Sequence, residues 1–176
     1  MDDDYNAGMP EHNRKHTFNF KNKKIIITKL AHEPEIYPFA KALVYALYYK
    51  DYPTIRVEAK MDEERFQPDL NAIDYDGKML FWAEIGNVSL TKIEKLFKKY
   101  RQAHFVFVKE EKDLEVFQKQ LDKMAKDMRS YPHVDIVVYP EHFHEWNVSA
   151  DGDVFIRKED VNIISWHEPE DHVKYY

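Results

Sequence analysis

The sequence predicts a single α/β (α+β) domain, a mixed β-sheet flanked by helices and finished by a C-terminal β-hairpin. Three observations predict it. Strand-like and helix-like segments alternate through the middle of the chain, the order that builds a sheet with helices laid against it. Two Asp-Gly pairs, Asp76-Gly77 and Asp151-Gly152, each sit between strand-like runs and supply the left-handed residues of hairpin turns. The 176 residues, 44% apolar and 33% charged, suffice for one core, and no repeat or linker divides them. Residues 1–15 read as a flexible tail, 16–168 as the domain and 169–176 as a second tail.

The elements follow in order. His16 to Leu30 alternates and contains Ile25-Ile26-Ile27, which reads as one or two strands. Tyr37 to Tyr49 reads as a helix, with Phe39, Ala40, Leu43, Val44 and Leu47 as its buried stripe. Pro38 belongs in the first turn, where a missing N–H costs little. A short strand follows near Ile55 to Glu58. Asp69–Tyr75 and Lys78–Ile85 form the first Asp-Gly hairpin. Ser89 is placed to cap a helix reaching about Arg101, with Ile93, Leu96, Phe97 and Tyr100 inward. The apolar runs His104–Val108 and Val134–Val138 read as buried strands. Between them Glu111–Met128 reads as a helix burying Leu114, Phe117, Leu121, Met124 and Met128. The second hairpin joins Glu145–Ser149 to Val154–Arg157, and Val161–Trp166 is the last strand.

Composition narrows the chemistry. Cysteine is absent, which rules out disulfides and cysteine-held zinc and points to a reducing, cytoplasmic setting. No apolar run is long enough to span a bilayer. The net charge is −6, against the basic surface usual where phosphate contacts supply the affinity. Any basic region is therefore local, and Lys92, Lys95, Lys98, Lys99 and Arg101 form the candidate.

With a two-residue loop at Asp76-Gly77, the hairpin register sets Leu70 opposite Ala83 and Asp69 opposite Glu84. The two acids then share one face, while Leu70, Ala72, Met79, Phe81, Ala83 and Ile85 share the other. Like charges facing each other on a sheet are destabilising; at about 5 Å and an effective dielectric of about 20 the repulsion is roughly 3 kcal/mol. A divalent cation, a proton held on one acid, or a neighbouring lysine would each relieve it. A three-residue loop would slip the register and part the acids.

Leu30-Ala31-His32-Glu33-Pro34-Glu35, Gln67-Pro68-Asp69-Leu70, Trp82-Ala83-Glu84-Ile85-Gly86 and Lys92-Ile93-Glu94-Lys95 stand in an order and at spacings that resemble the YaeQ family. Trp146-Asn147-Val148, Asp151-Gly152 and Ile164-Ser165-Trp166 resemble that family's ending. The resemblance spans His16 to Glu168 and implies a PD-(D/E)XK, restriction-endonuclease-like core. It implies Asp69 and Glu84 as Mg²⁺ ligands, with Mn²⁺ as substitute, the Ile85 carbonyl as a third ligand and Glu35 as an extra acidic position. Gly86 stands where the superfamily's ExK motif has lysine, so the lysine must come from the following helix: Lys95 by similarity, Lys92 second. Pro38 replaces an acid of the family's pattern.

The implied activity is Mg²⁺-dependent hydrolysis of phosphodiester bonds in nucleic acid, with Lys92, Lys95 and Lys99 as candidate phosphate contacts. The rival is a catalytically inactive nuclease fold that binds a protein or a nucleic acid; a hydrolase of small phosphate compounds is a third reading. His142 and His144, with His133 and His104 elsewhere, offer no compelling zinc spacing and read as surface histidines. Tyr45, Tyr48, Tyr49 and Tyr52 could stack on bases, but packing of the first helix on the sheet is the simpler reading.

Overall fold

Alternation in the first described segment produces two strands, β1 (Arg14–Phe20) and β2 (Lys23–Lys29), paired antiparallel around a tight turn at Lys21. The structure, a computed structural model, describes residues 13–62, 64–139, 145 and 148–166. β1 and β2 form a separate two-stranded sheet. Helix α1 (Tyr37–Tyr48) follows, with Pro38 in its first turn as expected.

The main sheet has six strands, each beside its sequence neighbour: β3 (Arg56–Val57), β4 (Leu70–Ile73), β5 (Met79–Ile85), β6 (His104–Glu110), β7 (Val134–Tyr139) and β8 (Asn162–Trp166). β3, β4 and β5 run antiparallel, β5, β6 and β7 parallel, and β8 returns antiparallel to β7. Parallel neighbours need crossovers, supplied by α2 (Leu90–Lys99) and α3 (Glu111–Ala125). Ser89 caps α2 by accepting from the Lys92 amide at 3.2 Å. Both crossover helices cover one face, where Ile93, Leu96, Phe97, Phe117 and Leu121 meet Trp82, Phe105 and Phe107. α1 and the β1–β2 hairpin cover the other, meeting Leu70, Phe81, Ala83, Val106, Val108 and Val137. The sheet is thus buried on both sides, which explains the unbroken apolar runs of β6 and β7.

The first Asp-Gly hairpin differs from the expected geometry in two ways that cancel. Its loop has three residues, Tyr75-Asp76-Gly77, with Gly77 at φ +80° and the Asp74 amide bonded to the Lys78 carbonyl at 3.0 Å. The Asp74 carboxylate accepts from the amides of Asp76 and Lys78 at 2.9 and 2.8 Å, which favours the longer turn. A bulge then leaves Leu80 unpaired between Ile73↔Met79 and Ala72↔Phe81. The extra strand residue offsets the extra loop residue, so Leu70 faces Ala83 as the two-residue loop had predicted. Two residues change side: Met79 packs with Trp82 under α2 and α3, not with Phe81, and Leu80 packs on the α1 side with Phe81.

Among the described residues the second Asp-Gly turn carries the antiparallel bridge Val148↔Val154 and docks on the first hairpin through Asn19↔Asp153. Gly152 has φ +85°, and a Cβ there would strike the Thr17 carbonyl, so glycine is required for the docking. Most of the two predicted tails, together with His142, His144, Trp146 and Asn147, lies outside the described residues. Among the described residues, no helix is long and apolar enough to cross a membrane.

Candidate functional site

At the C-terminal end of β5, five consecutive buried residues, Phe81 to Ile85, bring one carboxylate with them. Glu84 lies on the α2/α3 side. Its Oε1 accepts from Trp82 Nε1 at 2.8 Å and pairs with Lys92 Nζ of α2 at 2.6 Å. Burial pushes its carboxyl up; Lys92 and Trp82 pull it back, and Asp69 adds to the rise, leaving it above the ordinary value.

Asp69 sits just before β4, after Pro68, which has no N–H to offer the ladder and suits a strand's start. Its amide donates to the Ala83 carbonyl at 3.0 Å. Its Oδ2 accepts from the Ile85 amide at 2.8 Å, so the side chain takes a place in the ladder that a backbone carbonyl would otherwise fill. From there the carboxylate meets Lys41 Nζ of α1 at 3.4 Å. Burial raises its pKa more than Lys41 and the Ile85 amide lower it. The two acids therefore stand across one pair of strands but do not share a face as the register had predicted: Glu84 turns to Lys92 of α2, while Asp69, drawn into the ladder by the Ile85 amide, turns to Lys41 of α1 on the other side.

Lys41 gathers more than Asp69. Its side chain is 4% exposed, and its ammonium also meets Glu58 at 2.9 Å and Glu33 at 3.4 Å. The acid that joins this end of the sheet from the 30–35 segment is thus Glu33. Glu35 is turned to Arg14 at 2.7 Å and Lys29 at 3.3 Å.

Gly86 follows with φ +77°, and a Cβ there would collide with the Tyr37 hydroxyl. The space a side chain would take at Gly86 is therefore filled by Tyr37 of α1. A lysine ammonium reaches the same spot from the neighbouring strand: Lys109 Nζ of β6 donates to the Gly86 carbonyl at 2.5 Å and lies 4.2 Å from the Phe117 ring centre. Burial pushes Lys109 down to about 8, against the attraction of Asp113 and Glu84. A cleft of about 340 Å³ opens here, lined by Tyr37, Gly86, Lys109, Glu110 and Asp113 among others. A larger cleft, about 970 Å³, lies between α1 and the Val154–Asp160 segment and is lined by neither acid. The smaller cleft holds the buried Lys109 beside Gly86, while Asp69 and Glu84 are not among its lining residues. A lysine placed here is expected to destabilise the fold: Gly86→Lys should lose about 1–2 kcal/mol from the backbone conformation alone, with the Tyr37 collision added, read as a lowered urea midpoint. An unchanged midpoint would contradict this picture of Gly86.

The other sequence candidates are dispersed. Lys92 points into the site, while Lys95 is exposed. Lys99 pairs with Glu64 at 2.5 Å and Lys98 with Glu94 at 2.5 Å, so much of the basic run is cancelled locally. Tyr45 and Tyr48 are residues of α1 buried in the core, the packing role read from the sequence.

A second group was not foreseen. His104 begins β6, His133 precedes β7 and Asp135 lies on β7; one donor atom from each falls within 4.8 Å of the others, a set that could hold a metal ion. His104, read from sequence as a surface residue, is 8% exposed. Asp135 is buried, which raises its pKa, but hydrogen bonds from His104, Ser165 and Tyr48 outweigh this and hold the carboxyl far below the usual range. His104 lies beside Phe81 at the start of the parallel strands and Val108 beside Ile85 near their end. At about 3.3 Å per residue, the His104 group and Lys109 stand about 16 Å apart along β6.

No family model matches the sequence, and no curated protein matches it. Solved structures do match, among them two YaeQ proteins. The YaeQ protein from Xanthomonas axonopodis pv. citri superposes with a TM-score of 0.57 over 87% of this chain and 90% of that one, at 16% identity. The YaeQ protein from Pseudomonas syringae gives 0.54 over 74% of each chain, also at 16% identity. The chain thus has the fold of the YaeQ proteins, a single α/β domain whose mixed six-stranded sheet carries α1 and the N-terminal hairpin on one face and α2 and α3 on the other.

Proposed function

We propose that the chain is a divalent-metal-dependent phosphodiesterase of the PD-(D/E)XK type acting on nucleic acid. The observation that carries this is the convergence of Asp69, Glu84 and Lys109 on one sheet end, each buried against its own charge. Such unfavourable burial marks functional sites more often than structural ones.

The donor set fits a hard cation. Asp69, Glu84 and the Ile85 carbonyl are all oxygen donors, the kind that Mg²⁺ takes alongside water and phosphate. Bound there, the ion would polarise a phosphodiester and make water a better nucleophile. The chain's own groups do the rest. Lys92, already on Glu84 at 2.6 Å, orients that carboxylate and is the helix lysine that the motif lacks at Gly86. Lys109 offers a desolvated ammonium to developing phosphate charge. Lys41 holds Asp69 in place from the opposite layer. In this reading Glu35 and Lys95 stand outside the reacting centre, and Lys99 serves at most as a phosphate contact.

One observation favours the second reading, a nuclease fold used only for binding: lysines already compensate both acids without an ion. The test is incubation with single- and double-stranded DNA and RNA in Mg²⁺ or Mn²⁺. We expect cleavage that falls by about 10²-fold or more in Glu84→Gln. Absence of cleavage on every substrate, or cleavage indifferent to Glu84→Gln, would overturn the enzyme reading; retained nucleic-acid or protein binding would then support the second.

A further inference from the structure

We propose that His104, His133 and Asp135 bind a borderline divalent transition-metal ion of the zinc type, at a centre separate from the acid pair and at the opposite end of the parallel strands. Two imidazole nitrogens and one carboxylate oxygen are the ligand types of three-ligand zinc centres that keep a position open. His133, 54% exposed on its side chain, gives that position access to solvent, while His104 and Asp135 anchor the centre in the core.

The groups behind the ligands are built for the task. Tyr52 Oη lies 2.9 Å from His104 Nδ1, and His104 Nε2 lies 2.9 Å from Asp135 Oδ2. Without an ion, Nε2–H donates to Asp135 and the Tyr52 hydroxyl donates to Nδ1. With an ion on Nε2, the proton moves to Nδ1 and donates to the same hydroxyl. A tyrosine hydroxyl satisfies both tautomers, and a fixed partner on the far nitrogen is what orients metal-binding histidines. Tyr48 Oη donates to Asp135 Oδ2 at 3.0 Å and Ser165 Oγ to Oδ1 at 2.7 Å. Each oxygen keeps a lone pair for an ion.

The His133 imidazole stacks on that of His104 at 4.1 Å with planes 13° apart, and its Nε2 lies 3.3 Å from Asp135 Oδ1. The stacking brings a second imidazole nitrogen to the same carboxylate, with one donor atom from each of the three residues within 4.8 Å of the others.

The test uses the full chain stripped of metal and titrated with Co²⁺, whose visible bands report coordination, followed by Zn²⁺ competition. We expect one equivalent bound through His104, His133 and Asp135. The signal should be lost in His133→Ala, a substitution at a half-exposed site that should leave the far-UV spectrum unchanged. It should survive in Tyr52→Phe with affinity reduced about 10- to 100-fold, and persist unchanged in His142→Ala/His144→Ala and in Asp69→Asn. No Co²⁺ band at stoichiometric concentration, equal binding by folded His133→Ala, or loss of the band in either control would overturn the proposal. Because Asp69→Asn is a control, failure here leaves the phosphodiesterase reading to its own test.

Discussion

Lys41→Met should unfold about 3–5 kcal/mol more easily than the wild type at neutral pH, the usual cost of removing one partner from a buried ionic cluster. The side chain is 4% exposed and its ammonium is shared by Glu58, Glu33 and Asp69. Methionine would replace the apolar stem with little change in volume, so the loss is electrostatic: three carboxylates would remain together at one sheet end with nothing between them. The pH dependence has a definite sign. Burial lowers the Lys41 pKa, but Asp69, Glu58 and Glu33 more than reverse this and leave it above 10.5. Its folded value therefore exceeds its unfolded one. The stabilisation is complete below 10.5 and is lost as pH rises through the folded value. In Lys41→Met the deficit should shrink in acid as the stranded carboxylates take up protons. Urea unfolding from pH 4 to pH 8 reads both effects; a variant within about 1 kcal/mol of wild type throughout would show the cluster to be solvent-screened, as surface pairs are.

The parts of this site that were legible in the sequence are those set by local rules. Alternation and an Asp-Gly pair placed Leu70 opposite Ala83, and this survived a wrong loop length only because Leu80 bulges out. Nothing in the sequence marks that bulge: Leu80 is as apolar as its neighbours, so the side change of Met79 and Leu80 could not be seen. Lys109 was missed for a related reason. The apolar run stops at Val108, yet pairing to β7 continues through Lys109 and Glu110. Lys109 stays on the face of Phe105 and Phe107, and that alternation was the available signal. His104 and Asp135 are 31 positions apart, and what joins them is the parallel register Phe105↔Val134 and Val106↔Asp135. A crossover through α3 leaves that register to tertiary packing, so no spacing rule could have found the pair. For α1 and α2, by contrast, a helical stripe with a proline or a cap sufficed, and for α3 the stripe alone.

Lys109→Met should make the protein more stable and, on the proposed reading, much less active. Lys109 is 5% exposed, and burial takes its pKa from 10.5 to about 8. The folded value lies below the unfolded one, so at pH 7 the fold carries the cost of a desolvated ammonium. The difference corresponds to about 3 kcal/mol. Methionine removes that cost but strands the Gly86 carbonyl, at about 1 kcal/mol, and gives up the attraction to the Phe117 ring, at about 1 kcal/mol. A net gain of about 1 kcal/mol at pH 7 is expected. Between pH 8 and 10.5 the unfolded wild type holds a proton that the folded one has released, so wild-type stability rises with pH. The variant should lack that rise and lose its advantage by the upper end of the window. Cleavage should fall about 10²-fold, the scale of losing one preorganised group from a charge-stabilising site. If Lys109 were a packing residue, its replacement would leave turnover unchanged while still flattening the pH profile. If it served mainly as the clasp on Gly86, the variant would be less stable than wild type at pH 7. Only a cation held against its own solvation for the sake of a phosphate predicts a gain in stability together with a loss of rate.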